Sequence, residues 1–182
     1  MSIFSIQVKT RDEEKYLTLF RAQNPHKSNV RTYFPKREVR VYKQGKVITK
    51  RAPVFSGYVF VELEKDDHIL NHYRSLRITN GFFRFLPSNK KVHELRGGDL
   101  ELVVHFIRLP GQVAGVSKVY FDENQKIVVK EGPMLGLEGR ITKIDRRKGR
   151  AKIRLDLYGD SFSIDLAFEM LDPTGDKAAA KT

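Results

Sequence analysis

The chain has 182 residues, 40% of them hydrophobic, no cysteine, and 34 Lys/Arg against 22 Asp/Glu for a formal charge of +12. That length holds one domain or two small ones with modest cores, and without cysteine a disulfide scaffold or a thiolate metal site is excluded. No apolar run suits a membrane span or a secretory signal, and the basic excess points to a polyanionic partner, most often nucleic acid, with a merely solvated basic surface as the plain alternative.

In chain order, "IFSIQV" (3–8) reads as a strand. Thr10 and Glu13 have capping-box spacing for a helix over 11–23, whose apolar face carries Tyr16, Leu17 and Phe20. Residues 30–43 and 46–52 alternate β-branched or aromatic residues with charges, and Gln44-Gly45 between them is a hairpin tip. "VFSGYVFVEL" (54–63) is a strongly apolar strand, with Tyr58 and Phe60 facing opposite to Val59 and Val61, so both faces of its sheet are apolar. A short helix starts at Asp66 or Asp67 and carries Ile69, Leu70 and Tyr73; "GFFRFL" (81–86) is a further strand. Leu100, Val103, Val104 and Ile107 have i, i+3, i+4, i+7 spacing and mark a helix over 98–108. This order predicts an α+β domain over 1–108, an antiparallel sheet flanked by helices.

"LPGQVAGVSKVYFDENQ" breaks the pattern and reads as a linker, 109–123. Beyond it Ala151, Ile153, Leu155 and Leu157 alternate with Arg150, Lys152, Arg154 and Asp156, and Phe162, Ile164, Leu166 and Phe168 repeat the alternation after Tyr158-Gly159. Residues 124–173 are therefore expected to form a small antiparallel barrel, and 174–182 a disordered tail.

The charge is unevenly placed. Residues 1–108 hold 21 Lys/Arg against 11 Asp/Glu, whereas 126–172 hold 10 against 8. Between Lys27 and Arg51 stand nine basic residues and one acid, Glu38, so Lys36, Arg37, Arg40, Lys43, Lys46, Lys50 and Arg51 are expected to form a charged hairpin. A second cluster places Arg146, Arg147, Lys148, Arg150, Lys152 and Arg154 within nine positions. Alternation that turns Ala151, Ile153 and Leu155 inward puts Arg150, Lys152 and Arg154 together outside, at roughly 7 Å intervals that match phosphate spacing. The alternative is a solvated strand face, partly neutralised by Asp145 and Asp156.

Catalysis finds little support. His68 and His72 have i, i+4 spacing but no third ligand is evident, and no phosphate loop or nucleophile elbow occurs. Neither enzyme activity, nor a metal, nor a cofactor is expected.

Residues 127–155, with "V-x-x-G-P-x-x-G-L-x-G-x-I" before a basic hairpin, resemble the KOW module. With "LDLYGDSFSIDLAFEML", "PVFSGYVFVEL" and "RSLRITNGFF", the chain resembles the NusG family of transcription elongation factors over nearly its whole length. The resemblance implies an N-terminal domain that binds RNA polymerase through Ile3, Phe4, Phe55 and Tyr58, with Arg74, Ser75 and Gly81 near the polymerase's opposite jaw. It implies a KOW module that contacts nascent RNA, as in antitermination-type members, or a ribosomal protein or the termination factor Rho through Tyr158, as in housekeeping members. The hairpin at 36–51 is expected near the bubble DNA. The absence of cysteine fits a reducing cytosol, and a cytoplasmic monomer without membrane attachment is expected. The chain departs from most relatives at Ile3, where they carry a large aromatic, and at Ser56, where they carry proline. A structural, ribosome-type RNA-binding protein and a nucleic-acid-processing enzyme are the readings from other classes; the first would have no need of an apolar N-terminal patch, and the second lacks an acidic or metal cluster.

Overall fold

The computed structural model describes residues 2–26, 29–64 and 66–171, so the expected tail at 174–182 lies outside the described residues. The first half runs β1 (Ser2–Val8), α1 (Glu13–Gln23), β2 (Arg31–Tyr33), β3 (Lys36–Lys43), β4 (Lys46–Pro53), β5 (Tyr58–Leu63), α2 (Ile69–Ile78), β6 (Phe82–Phe85), β7 (Pro87–Ser88), β8 (Lys91–Val92) and α3 (Gly97–Ile107). The second half is almost all strand: β9 (Val113–Ala114), β10 (Ser117–Phe121), β11 (Ile127–Glu131), β12 (Ile141–Asp145), β13 (Arg150–Leu157) and β14 (Asp160–Met170), with single 3-10 turns at Pro110–Gln112 and Glu138–Arg140. The contacts separate two units, Met1–Pro35 with Pro53–Arg108, and Lys36–Ala52 with Leu109–Thr182. The basic hairpin β3–β4 thus packs within the second unit, although it lies between elements of the first in sequence.

The first unit is α+β. Its sheet has the order β2-β5-β1-β6, and β5 pairs antiparallel with both β1 and β2. On one face Phe4, Ile6 and Val8 of β1 join Val59, Val61 and Leu63 of β5 against Tyr16, Leu17 and Phe20 of α1 and Ile69 and Leu76 of α2. The Tyr16 hydroxyl donates to the Leu76 carbonyl at 2.7 Å, tying the two helices together, and burial raises its pKa well above the usual tyrosine range. On the other face Phe60 meets Phe55 edge-on at 5.2 Å, and Phe55 meets Phe106 of α3 at 5.7 Å. Both apolar faces of β5 are therefore packed, which explains why the strand reads as a continuous apolar run rather than an alternating one.

Local details differ from the expected pattern. Thr10 and Glu13 make no capping box: the residue before α1 is Asp12, with no side-chain cap bond. Glu13 is buried, and its carboxylate accepts from the Gly57 amide at 2.7 Å, so a tertiary bond replaces the local one. Helix α2 starts after His68 rather than at Asp66 or Asp67, and its Leu70 is exposed. The buried face of α3 is Leu102, Val103, Phe106 and Ile107, one step round from the expected stripe, because Phe106 docks on Phe55.

In the second unit a five-stranded sheet has the order β11-β10-β14-β13-β12. Its pairings are antiparallel except β10 with β14, which run parallel inside the sheet, so the strand unit expected as an antiparallel barrel is a half-barrel with one parallel pair. The stretch read as a linker supplies β9 and β10. Strand β9 pairs parallel with β3 through Lys36↔Val113 and Arg37↔Ala114. The core is formed by Val119, Ala151, Ile153, Leu155, Leu166 and Phe168, each at most 1% exposed. The period-2 alternation of β13 and β14 builds this core.

Candidate nucleic-acid interface

The basic hairpin of the second unit is built by alternation and a tight turn. Gln44 and Gly45 both have positive φ, 51° and 75°, as a two-residue hairpin turn that matches strand twist requires. Residues 46–51 of β4 are all exposed, including Lys46, Lys50 and Arg51. Arg40, Lys43, Lys46, Lys50 and Arg51 have no side-chain partner among the described residues. Arg37 differs. Its Nη1 donates to the Asp165 carbonyl at 2.9 Å, and burial lowers its pKa, so it anchors β3 on β14 instead of facing solvent.

The second cluster sits on β12, β13 and the turn between them. Strand β13 shows the expected pattern, with Ala151, Ile153, Leu155 and Leu157 buried and Lys152 and Arg154 exposed. The individual cations, however, are held very differently. Arg146 lies over the Phe121 ring at 3.6 Å and donates to the Gln125 side chain at 2.9 Å. Lys148 is 3.9 Å from Asp145, and Lys152 is 3.9 Å from Asp165. Arg154 donates to Asp156 at 3.2 Å and to Ser161 at 2.9 Å. The Asp156 carboxyl is held below its usual range, first by the Ser161 hydroxyl and further by Arg154 and Arg140. Arg147 and Arg150 alone of the six have no side-chain partner among the described residues.

These pairs are solvent-exposed, and such pairs contribute only about 0–1 kcal/mol, so a phosphate can displace them. One shallow depression on this face, of about 190 Å³, is lined by Lys143, Asp145, Lys148, Arg150, Lys152 and Asp165. Four cations against two carboxylates favour an anion there. Lys143 was not among the residues expected from sequence. A β-bulge between Ile141 and Lys143 turns both Thr142 and Lys143 outward, which simple alternation misses.

In the first unit the expected polymerase-facing residues are distributed between interior and surface. Ile3, Phe4 and Phe55 are 1%, 8% and 0% exposed, and Tyr58 is half-buried. Arg74 is exposed on α2, and Ser75 is half-buried with its hydroxyl donating to the His72 carbonyl at 3.0 Å. Gly81 has φ 98° and is half-buried. The large apolar side chains that do reach solvent are Leu70 and Ile78 of α2 and Phe83 of β6, at 66%, 69% and 66% exposure. With Arg74, Leu70 and Ile78 fall on one helix face at i, i+4, i+8. Sequence reasoning gave Leu70 to this helix with Ile69 and Tyr73 and named Arg74, but did not single out Ile78 or Phe83. The i+8 repeat alone cannot tell an outward face from an inward one. In the second unit Tyr158 is half-buried at the β13–β14 turn, with φ 53°.

His72 donates through Nε2 to the Asp67 carboxylate at 2.6 Å, and Asp67 also accepts from Asn71, Asn29 and the His68 amide. The pair is an intra-unit clamp at the start of α2.

The family model described as "Transcription termination factor nusG" matches residues 1–103, more than half of the chain. The chain belongs to the NusG family. The transcription termination/antitermination protein NusG of Campylobacter jejuni is 23% identical over 138 residues, covering 76% of this chain and 75% of that protein. The protein of the same description from Bacillus subtilis is 26% identical over 142 residues, covering 78% of each. A solved structure titled "Domain interaction in Thermotoga maritima NusG" superposes with a TM-score of 0.49 at 17% identity, covering 91% of this chain and 93% of that one.

Proposed function

We propose that the chain is a transcription elongation factor of the termination/antitermination class that binds RNA polymerase through its first unit and contacts nucleic acid through its second. The match of the NusG family model over residues 1–103 carries this reading. Within the first unit two surfaces are candidates for docking, on opposite faces of the sheet: Tyr58 on the side of Phe60, and the open face of α2, where Leu70, Arg74 and Ile78 offer apolar anchors beside a cation. Phe55, against Phe60, and Ile3, opposite Glu62, lie on the Tyr58 side, Phe4 lies in the core that α2 covers, and Ser75 and Gly81 stand at and just beyond the last turn of α2.

The sheet β10–β14 is read as the KOW module. Its anion-attracting depression and the free Arg147 and Arg150 make nascent RNA the ligand of β12–β13, and the hairpin β3–β4 adds free cations for RNA or bubble DNA. Arginine at the two free positions suits bidentate phosphate contact. The factor works as a monomer in the cytoplasm, as polymerase-bound transcription requires, and without catalysis.

The test is co-purification of the full chain with core RNA polymerase, followed by pause and termination assays with and without it. Co-elution with altered pausing or read-through is expected. RNA binding with neither co-elution nor any change in termination would establish a structural RNA-binding protein instead. Polymerase binding with a Tyr158-dependent attachment to Rho or a ribosomal protein, and no RNA contact, would assign the second unit to the housekeeping role.

A further inference from the structure

The two basic clusters, more than ninety positions apart in sequence, meet in the second unit. Arg40 and Val47 of the β3–β4 hairpin face Arg146, Arg147, Phe168 and Met170 across a cleft of about 280 Å³, and Lys148, Gly149 and Glu169 complete its lining. We infer that this cleft is a single binding site for an unpaired nucleic-acid strand, which it holds by arginine on the walls and apolar side chains on the floor. The inference rests on the proposed nucleic-acid role of the second unit and deepens it.

Three observations converge on this ligand. The cleft is small, near the lower end of ligand sites of roughly 300–1,000 Å³, so it admits a base or two but not a duplex. Its polar walls are mostly cationic. Arg40 and Arg147 have no side-chain partner among the described residues, while Arg146 is oriented by Phe121 at 3.6 Å and by Gln125 at 2.9 Å. Apolar groups remain uncovered between those charges, since Val47 is 53% and Met170 is 56% exposed. A surface evolved only for solubility has no use for them. A strand whose phosphates lie along the arginines and whose base face covers Val47 and Met170 accounts for both features. The hairpin is fixed against the sheet for this purpose by the β3–β9 pairing and the Arg37 bond to Asp165.

The experiment measures fluorescence anisotropy of the full chain with labelled single-stranded RNA and DNA 12-mers and with the matching duplex, over a salt series. Arg40→Gln with Arg147→Gln should weaken single-strand binding by about tenfold or more and reduce the salt slope by about 1.4. Val47→Gln should weaken it several-fold with the slope unchanged. Arg150→Gln with Lys152→Gln, outside the cleft, should cost single strands less than the cleft pair does. Val47, Arg147 and Lys152 are exposed and Arg40 and Arg150 half-buried, and a thermal melt of each variant checks that the fold is intact. Preference for RNA or for DNA identifies the natural strand. The inference is overturned by tighter duplex than single-strand binding, by no effect of Val47→Gln, or by equal losses from the two double variants. It is also overturned if polyglutamate of matched charge displaces the strand as well as an oligonucleotide does, since the cleft would then serve an acidic protein. Co-purification with polymerase separates the two claims. A chain that binds polymerase but no single strand loses the cleft and keeps the proposed function; one that binds the strand but not polymerase does the reverse.

Discussion

At Gly149 the backbone has φ +57°, and a Cβ built there would stand 2.6 Å from the Phe168 carbonyl oxygen. The same glycine accepts the Phe168 amide through its own carbonyl at 2.8 Å, so the turn cannot back away from β14 without breaking that bond. Gly149→Ala should therefore combine left-handed strain with a backbone clash and destabilise the protein by about 1–3 kcal/mol. Denaturant unfolding with an unchanged slope would measure it, and a loss under half a kcal/mol would mean the turn adapts. The glycine was legible as a turn residue beside a basic cluster, but its contact with β14 was not. Nor was the inequality among the arginines. Arg146 and Arg147 are adjacent and chemically identical, yet one is held on Phe121 and the other has no side-chain partner among the described residues. That difference depends on β10 and β11, which local spacing does not reveal.

Among the elements, β5 and α3 show where alternation informs and where it stops. The two-sided apolar character of β5 was readable, and so was a helix over 98–108, which the structure has at Gly97–Ile107. What covers the second face was not, because Phe55 and Phe106 are brought together only by the tertiary fold. Phe55 sits between two rings with no exposure, so Phe55→Ala should cost about 3–5 kcal/mol. Tyr58, half-buried at the start of β5, whereas Phe55 lies in the turn before it, should behave differently. Tyr58→Ala is expected to weaken polymerase association while shifting the melting temperature little; a collapse of stability with binding intact would place it in the core. The strands β9 and β10 were missed because two glycines and a proline interrupt them, and pairing with β3 and β14 supplies the order that periodicity lacked. At the start of α2, burial opposes ionisation of Asp67, but hydrogen bonds from His72, Asn71 and the His68 amide outweigh it and hold its carboxyl below the usual range. A folded-state pKa below the unfolded value of about 3.9 contributes stability above that pH, and the contribution is lost as pH falls through the folded value. The stability gap between the parent and Asp67→Asn should accordingly be full at neutral pH and close on acidification below about pH 4. A gap independent of pH from 7 to 2 would show that the carboxylate charge is not what matters.

For the whole molecule, total charge and usable charge are different quantities. The formal excess is +12, yet much of the second unit's positive charge is already engaged: Lys148 with Asp145, Lys152 with Asp165, Arg154 with Asp156, Lys118 with Glu131 and Arg37 with the Asp165 carbonyl. The cations without side-chain partners among the described residues of that unit include Arg40, Lys43, Lys46, Lys50, Arg51, Arg147 and Arg150, and they come from both clusters. Counterion release counts only charges that meet phosphate, at about 0.7 per contact on a single strand. If these free cations carry the binding, the logarithm of affinity should fall against the logarithm of salt with a slope no steeper than about 5. If the overall excess were responsible, the slope would approach about 8, and neutralising Arg40 and Arg147 would lower it no more than neutralising any two other surface cations. A titration of single-stranded RNA between low and physiological salt separates these outcomes. The first unit supplies an internal control, because removing its exposed Arg74 should leave the slope unchanged while weakening attachment to polymerase.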